Sequence, residues 1–347
     1  MTKQGDLVSV VENAYGLEID DAAWVRSVTT ASAPFLDRGK GVYAFVFDAN
    51  DPAHFTVDML VKLDDTQVLP DLVVKWHGML SADLVKTMYW GSTPLAPISE
   101  RLGLGASLAD HPAMQRLCRA HGIVDQMTVR AGDTSYRGVA ICTPLGEHTK
   151  PSRTDARLWA RLAAHVAAGL RLRRALRENA ARSEGVYDVM TGAEAIMAPD
   201  GRVEHATDAA EPKTARESLR DAVKRIDLAR SKLRRKDPHE AIETWRGLVD
   251  GRWSLVDTFD SDGRRFVVAR GNSPETRDPR ALSSQERQVV GFAALGHSNK
   301  EIAYALGIKP STVATHLTAA QRKLGAKTRV ELVSAYRRLV DETGSTK

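Results

Sequence analysis

The side chains best placed for chemistry in this chain lie on one face of a short segment, residues 309–324. A buried helical stripe is predicted from apolar residues spaced four, three and four apart: Val313, Leu317, Ala320 and Leu324. The opposite face then carries small or hydroxyl side chains and a cation: Ser311, Ala314, Thr315, Thr318 and Arg322. Solvated faces usually mix acids with bases, yet residues 311–324 contain no Asp or Glu. Hydroxyls for base edges, a methyl for thymine and cations for phosphates suit the DNA major groove.

Local signals predict that this helix is the third of four between residues 282 and 341. The spacing of a capping box, a hydroxyl residue three positions before a Glu, precedes an apolar run three times, at Ser283, Ser298 and Thr328. Gly296 and Gly307 follow the first two apolar patterns and predict where those helices end. Pro310 suits the first position of the third helix, where no N–H is needed.

The stretch LSSQERQVVGFAALGHSNKEIAYALGIKPSTVATHLTAAQRKLGAKTRVELV, from Leu282 to Val333, resembles the LuxR-type (LuxR/FixJ-like) helix-turn-helix domain without a gap. The matching positions include Leu282, Glu286, Val289, Gly296, Asn299, Lys300, Glu301, Ile302, Ala303, Leu306, Thr312, Val313, His316, Leu317, Lys323, Leu324, Gly325, Arg329 and Glu331. The resemblance implies a four-helix unit that binds double-stranded DNA as a dimer on a roughly palindromic site. It also implies base readout by Ala314, Thr315 and Thr318, with phosphate contacts from Lys300, Thr312, His316 and Arg322.

Two positions depart from that family's pattern. Many members have Lys at the position of Ala314, so strong readout of guanine by a cation is not expected there. The usual Ser cap of the third helix is Lys309, which costs about 1 kcal/mol of capping but allows a phosphate contact. Ser311 and Lys323 complete the predicted phosphate set, as a hydroxyl and a cation at the two ends of the helix.

Residues 1–151 are predicted to form a GAF-like sensor domain, because the order of their elements resembles GAF/PAS-type sensors. Helices are expected at 7–14, 22–35, near 81–90 and at 111–122, strands at 41–49 and 54–63, and a hairpin at 123–145 about Gly132-Asp133. The strand at 41–49 is expected to be buried on both faces. A possible ligand pocket is predicted from Tyr43, Phe45, Trp76, His77, Tyr89 and Trp90; ordinary packing of buried aromatic residues is the alternative.

A long helix at 152–179, capped by Ser152 or Thr154, is predicted within a connecting segment, 152–184. Its apolar stripe is Leu158, Leu162, Val166, Leu170 and Leu172, and its arginines (153, 157, 161, 171, 173, 174 and 177) are expected on a solvated or acid-facing surface. A coiled dimer contact and a plain covering helix both fit. Residues 185–271 are predicted to form a smaller PAS-like α+β unit, with hairpins at 193–206 and 251–271 around basic helices broken at Asp237-Pro238. A Pro-rich linker, 272–280, precedes the DNA-binding domain, 281–347.

Composition and charge fit this multidomain α+β organisation. The 347 residues are 43% hydrophobic and 27% charged, as in soluble globular proteins, and exceed one ordinary domain. Residues 1–151 hold 13 Lys/Arg and 18 Asp/Glu, so the remainder carries a net charge of +10, which suits a polyanion. No run of 18 apolar residues and no signal peptide occurs, so a cytoplasmic protein without membrane contact is expected. Cys118 and Cys142 lack metal-ligand spacing, and neither a metal site nor a cofactor is predicted.

The sequence therefore predicts a homodimeric transcriptional regulator whose DNA-binding domain is controlled by a small-molecule effector or a protein partner. A constitutive DNA binder, with an N-terminal part that serves only dimerisation or protein contact, is the first alternative. An enzyme with a DNA-binding tail is the second, but no phosphate loop, nucleophile elbow or catalytic residue is identified. A phosphorylated receiver domain is disfavoured: Asp20-Asp21 imitates the acidic pair, but the regular strand–helix alternation is missing.

Overall fold

The structure, a computed structural model, describes residues 6–63, 70–90, 93–104, 107–111, 114–182, 190, 192–259, 262–272 and 282–344. The chain divides into two compact units, Met1–Ala167 and Ala168–Lys347. Among the described residues no helix is long and apolar enough to cross a membrane. The predicted linker lies outside the described residues except for Asn272, as does Ser261 of the predicted hairpin turn at 261–263.

The first unit is built on an antiparallel sheet of five strands. They are β1 (Tyr43–Asp48), β2 (Thr56–Lys62), β3 (Leu95–Pro97), β4 (Asp125–Gly132) and β5 (Arg137–Leu145), in the order β2-β1-β5-β4-β3. β4 and β5 form the predicted hairpin, with Asp125 opposite Leu145 and Gly132 opposite Gly138. Gly138 is required where the strands leave the turn, because a Cβ there would lie 2.3 Å from the carbonyl oxygen of Ala131.

Helices cover both faces of this sheet. They are α1 (Leu7–Ala14), α2 (Asp21–Leu36), α3 (Pro70–Gly78), α4 (Ala82–Tyr89), α5 (Ile98–Arg101) and α6 (Gln115–Ala120). The aromatic residues of β1 pack with α3, α4, α5 and α6 in one core cluster, while α2 contacts β1, β2 and β5. The predicted double-sided burial of β1 is therefore confirmed. The sequence patterns gave no indication of α3, and the helix predicted from residue 111 begins at Gln115.

The predicted long helix is α7 (Arg153–Arg182), and the boundary between the two units falls within it. Its Ser152 cap is confirmed, since the hydroxyl accepts a hydrogen bond from the Asp155 amide at 3.0 Å. All five residues of the predicted apolar stripe are buried. The prediction of an arginine-rich surface is wrong at Arg173, which is 2% exposed because its position, three residues after Leu170 and before Leu176, falls on the buried stripe.

The second unit contains another antiparallel sheet. Its strands are β6 (Ala195–Met197), β7 (Val203–Ala206), β8 (Leu248–Val249), β9 (Trp253–Phe259) and β10 (Arg265–Gly271), in the order β7-β6-β10-β9-β8. Counted along the chain, both sheets have the strand order 2-1-5-4-3. The helices are α8 (Lys213–Arg230), α9 (Leu233–Lys236) and α10 (Pro238–Thr244). The predicted break at Asp237-Pro238 is confirmed, and a further break separates α8 from α9.

Four C-terminal helices are also confirmed: α11 (Ser284–Ala294), α12 (Asn299–Leu306), α13 (Pro310–Leu324) and α14 (Arg329–Gly344). Complete capping boxes form at Ser283 and Ser298. The third box is only half formed: the Thr328 hydroxyl accepts from the Glu331 amide at 3.1 Å, but the Glu331 carboxylate accepts from the Lys327 amide at 2.7 Å. Gly307 ends α12 in the left-handed conformation, at φ 65°.

Candidate nucleic-acid interface

Helix α13 has one buried and one exposed face, divided as the sequence predicts. Val313 and Ala320 are fully buried, Leu317 is 8% exposed and Leu324 is half-buried. This stripe packs toward α12, whose buried residues are Ile302, Ala303 and Leu306. Every member of the predicted polar face is exposed: Ser311, Ala314, Thr315, Thr318 and Arg322. The helix therefore presents a surface of hydroxyls, methyl groups and one guanidinium.

The residues predicted to read bases form a continuous patch on that surface. The side chains of Ala314 and Thr315 both lie next to that of Thr318, because they are four and three residues away from it. The Thr315 hydroxyl donates to the carbonyl oxygen of Ser311 at 3.1 Å, so its lone pairs are left to accept hydrogen bonds. The amino group of an adenine or a cytosine can donate a hydrogen bond to this hydroxyl.

The predicted phosphate-binding residues surround the patch unevenly. Lys300, Lys309, Ser311 and Arg322 are exposed, whereas Thr312 and His316 are half-buried. Lys309 occupies the N-cap position and makes no side-chain cap, as predicted, so its ammonium is left to other contacts. Lys323 has a second role that the sequence did not indicate: its Nζ lies 2.7 Å from the Glu286 carboxylate.

Polar contacts fix α13 against its neighbours. The Glu286 carboxylate is buried, and one oxygen accepts from both the Lys323 Nζ and the Ser283 amide, each at 2.7 Å. Burial alone raises the pKa of Glu286, but these hydrogen bonds outweigh it and hold the pKa below the ordinary value. Arg329 at the start of α14 donates to Asn299 Oδ1 at 2.6 Å and to the His297 carbonyl. The exposed face of α13 is therefore held on a braced four-helix frame.

The end of α12 contacts the sheet part of the second unit, away from the exposed face of α13. The Tyr304 hydroxyl donates to the Ile242 carbonyl at 2.9 Å, and the Gly251 amide donates to the Leu306 carbonyl. Gly307 meets Leu248 so closely that a Cβ would lie 2.0 Å from its carbonyl oxygen. These contacts leave the predicted DNA-binding face open.

The structure brings five of the six residues of the predicted ligand pocket to two adjoining cavities in the first unit. Tyr43, Trp76 and His77 line the larger cavity, and Phe45, His77 and Tyr89 line the smaller. Trp90 lines neither: its ring stacks on Tyr136 at 4.3 Å, and its Nε1 donates to the Ala49 carbonyl at 2.8 Å.

Four polar residues that line these cavities were absent from the sequence prediction: Arg101, Gln126, Thr128 and Arg130. The one sequence signal that could have identified Arg130 is a cation within the predicted strand, between Val129 and Ala131.

A Ser–Asp–His cluster elsewhere in the first unit does not have the order of a catalytic triad. The buried Asp125 carboxylate accepts from the Ser99 hydroxyl and lies 3.1 Å from His148 Nδ1. The acid therefore stands between the serine and the histidine, whereas a nucleophilic serine needs the histidine next to it as a base. Asp125 also accepts from the amides of Ser99 and Gln126, at 3.2 and 2.8 Å, which ties α5 to β4.

Comparison with known families and proteins assigns the C-terminal region. Residues 280–336 match the family described as "Bacterial regulatory proteins, luxR family". The HTH-type transcriptional activator RamA of Corynebacterium glutamicum is 48% identical over 58 residues, 17% of this chain and 21% of the relative. The transcriptional regulatory protein FixJ of Rhizobium meliloti is 34% identical over 83 residues, 23% of this chain and 41% of the relative. MctR of Rhizobium johnstonii, also named a transcriptional regulatory protein, is 42% identical over 94 residues, 27% of this chain and 39% of the relative.

These matches cover less than half the length of each curated relative. They therefore support the assignment of the helix-turn-helix domain.

Proposed function

We propose that this protein, whose C-terminal domain belongs to the luxR family of bacterial regulatory proteins, is a sequence-specific DNA-binding transcriptional regulator. The observation that carries the proposal is the acid-free, exposed face of α13 on a braced helical frame. The regulator names of the relatives support it as well. Its DNA partner implies a cytoplasmic location, and enzymatic activity forms no part of the proposal.

In this function α13 enters the major groove with its exposed face toward the bases. Ala314, Thr315 and Thr318 read base edges by methyl contacts and hydroxyl hydrogen bonds. The phosphate contacts come from Lys300, Lys309, Ser311, Thr312, His316 and Arg322, which position the helix without reading sequence. Lys323 is less favoured as a phosphate contact than these residues, because its ammonium is already paired with Glu286.

The protein acts as a homodimer in this proposal, because two half-sites one helical turn apart require two copies of α13. The two sheet units are proposed to be GAF/PAS-like sensors, at residues 1–151 and 185–271, joined by a connecting helix and followed by the linker 272–280. Their shared strand order supports a common class for both sheets. Control by a small-molecule effector is supported by the cavities in the first unit; the constitutive binder is the alternative if no effector acts there.

The test is a binding-site selection from random DNA with the full chain, followed by titrations of the selected site at several salt concentrations. We expect a roughly palindromic site. Lys300→Ala and Arg322→Ala should each weaken binding to every sequence and reduce the slope of log K against log[salt] by about 1, because each phosphate contact releases about one counterion. Arg338→Ala, an exposed cation on α14 outside the proposed surface, is the matched control.

Recovery of no enriched site would contradict sequence-specific binding. A salt slope unchanged in both variants, with the control also unchanged, would remove Lys300 and Arg322 from the phosphate contacts.

A further inference from the structure

Two arginines of the first unit, one buried and one half-buried, form no ion pair with an acid among the described residues. Arg130 of β4 is 7% exposed, and its Nη1 donates to the Met88 carbonyl at 3.1 Å. Arg101, at the end of α5, is half-buried; its Nη2 donates to the carbonyl oxygens of Thr93, Pro94 and Thr128, at 2.7, 3.3 and 3.3 Å. The Arg101 Nε is buried and has no hydrogen-bond partner among the described residues. Within that part of the chain, no carboxylate forms an ion pair with either guanidinium.

Burial disfavours the charge of both guanidiniums, and the charge of Arg101 also acts on Arg130. Burial lowers the pKa of Arg101 to about 10, and the neighbouring Tyr89, Cys142 and Glu100 oppose this shift. Burial also lowers the pKa of Arg130, and the neighbouring charge of Arg101 lowers it further. Carbonyl oxygens solvate a guanidinium but do not neutralise it, so the pair is costly to bury in the absence of an anion.

Two cavities adjoin at His77, Ile98 and Gln126, and the two arginines line only the smaller one. The smaller, about 10 Å³, is lined by both arginines together with Phe45, Met88, Tyr89, Thr128 and Cys142. The larger, about 30 Å³, has an apolar wall of Val73, Trp76, Leu108, Met114, Cys118 and Ile123, with the Tyr43 side chain beside it. His77, Ile98 and Gln126 line both cavities. Together they have room for about three water molecules, and the charged smaller cavity is continuous with the apolar larger one.

The other polar groups at the junction satisfy one another. His77 Nδ1 donates to the Val73 carbonyl at 2.7 Å, so its Nε2 accepts from the Tyr89 hydroxyl at 2.7 Å. Burial lowers the pKa of His77 to about 4, which keeps the ring neutral. The Tyr43 hydroxyl donates to Gln126 Oε1. Among the described residues that line these cavities, the guanidiniums therefore carry charges without a counter-ion, and Arg101 Nε lacks a hydrogen-bond partner.

We propose that the paired cavities are the effector site of this regulator and that the effector is a small monocarboxylate with a short apolar tail. The carboxylate accepts hydrogen bonds from the guanidiniums of Arg130 and Arg101, whose planar donor geometry matches it. The tail lies against Trp76, Val73 and Leu108. The effector is larger than the closed cavities, so α3 and α4 must shift away from the sheet on binding. This role rests on the proposed regulatory function; carboxylate binding itself does not.

The test uses the full chain in isothermal titration calorimetry with benzoate, phenylacetate and isobutyrate, each beside its neutral amide. We expect at least one carboxylate to bind, with its amide at least tenfold weaker. Arg130→Met should weaken that carboxylate at least tenfold. Arg119→Met, an exposed arginine on α6, is the matched control and should bind as the wild type does.

The melting temperature shows whether Arg130 has a structural role instead. If the arginine serves a ligand, Arg130→Met removes an unpaired buried charge and should leave the melting temperature equal or higher. A lower melting temperature together with no binding of any of the six probes would overturn the proposal. Equal affinity for an acid and its amide would overturn the anion site even if binding occurs.

A titration of the selected DNA site separates this inference from the regulatory function. With the carboxylate present, the wild type and Arg119→Met should change their DNA affinity at least threefold, whereas Arg130→Met should not respond. Carboxylate binding without any change in DNA affinity would overturn the effector role and leave both the anion site and DNA binding standing. A wild type that binds no DNA would refute the regulatory function, and calorimetry would still decide on the anion site.

Discussion

Leu317 and Thr318 are adjacent in the chain, but Leu317 is buried and Thr318 is exposed, so alanine substitutions at the two positions should separate folding from recognition. Leu317 is 8% exposed and packs in the stripe between α13 and α12. Buried Leu→Ala substitutions cost about 2–5 kcal/mol, and a residue at the edge of a small core falls in the lower part of that range, about 2–3 kcal/mol. That loss is a large fraction of the stability of an ordinary domain, about 5–15 kcal/mol.

Thr318→Ala should have the opposite profile. Its side chain is exposed, so the free energy of unfolding should change by less than about 0.5 kcal/mol. Loss of one hydroxyl contact to a base should cost about 1 kcal/mol at the preferred site, or about fivefold in affinity. Nonspecific binding should stay as it is, because Thr318 carries no charge.

Amide hydrogen exchange across residues 310–324 measures the stability of α13 within the full chain, and binding-site selection measures specificity. Leu317→Ala should accelerate exchange throughout the helix and weaken binding to all DNA. Thr318→Ala should keep wild-type exchange and change the preferred base at one or two positions per half-site. Exchange unaltered by Leu317→Ala, with Thr318→Ala selecting the wild-type site at full affinity, would show that the two faces of α13 have been assigned the wrong way round.

Gly307→Ala should destabilise the second unit more than Gly325→Ala in urea unfolding: both glycines have positive φ, but only at Gly307 would the Cβ meet a backbone oxygen, at 2.0 Å, whereas the space at Gly325 is open. Equal effects would show that α12 does not depend on its contact with Leu248. Because the folded-state pKa of Glu286 is lowered, its contribution to stability is fully present above the unfolded pKa of about 4.3 and is lost as the pH falls through the folded-state pKa. Glu286→Gln should therefore unfold more easily at neutral pH but approach the wild type as the pH falls through that range, and a difference independent of pH would refute the ion-pair contribution. The fragment 279–347, with 11 Lys/Arg and 5 Asp/Glu, should fold as a helical unit by circular dichroism and bind DNA weakly. Specific affinity equal to that of the full chain would show that upstream residues do not supply the dimer contact.

The contact between α12 and Leu248 offers a direct mechanical link between the sheet part of the second unit and the DNA-binding helices. The Gly251 amide satisfies the Leu306 carbonyl at the end of α12, a group that a helix terminus otherwise leaves to solvent. A shift of the strand pair β8–β9 would therefore act on α12 through the backbone, and the Gly307→Ala measurement tests how much of the domain's stability depends on that link.

The helices of the C-terminal domain could be predicted closely from sequence, because their signals are local. A capping box is satisfied within four residues, and an apolar stripe is set by the 3.6-residue period, so Ser283, Ser298 and the stripe through Val313 and Leu317 needed no tertiary information. The same reasoning placed the hairpins at 123–145 and 251–271. The prediction that Arg173 lies on the surface of α7 was wrong, because it gave the type of side chain more weight than the position in the helix.

Only the tertiary structure decided which distant groups meet. Strand order depends on hydrogen-bond partners far apart in the chain, so the common order of the two sheets left no trace in the sequence. Lys323 pairs with Glu286 because α13 crosses α11. The sequence alone shows no such partner, and it placed Lys323 among the predicted phosphate contacts. Arg101 and Arg130 come together because the β3–β4 pairing, Leu95 opposite Val129, carries the end of α5 beside β4. The sequence determined the C-terminal helices and the polar face of α13, since those follow from neighbours one turn away; the two arginines and their cavities follow from packing across the sheet.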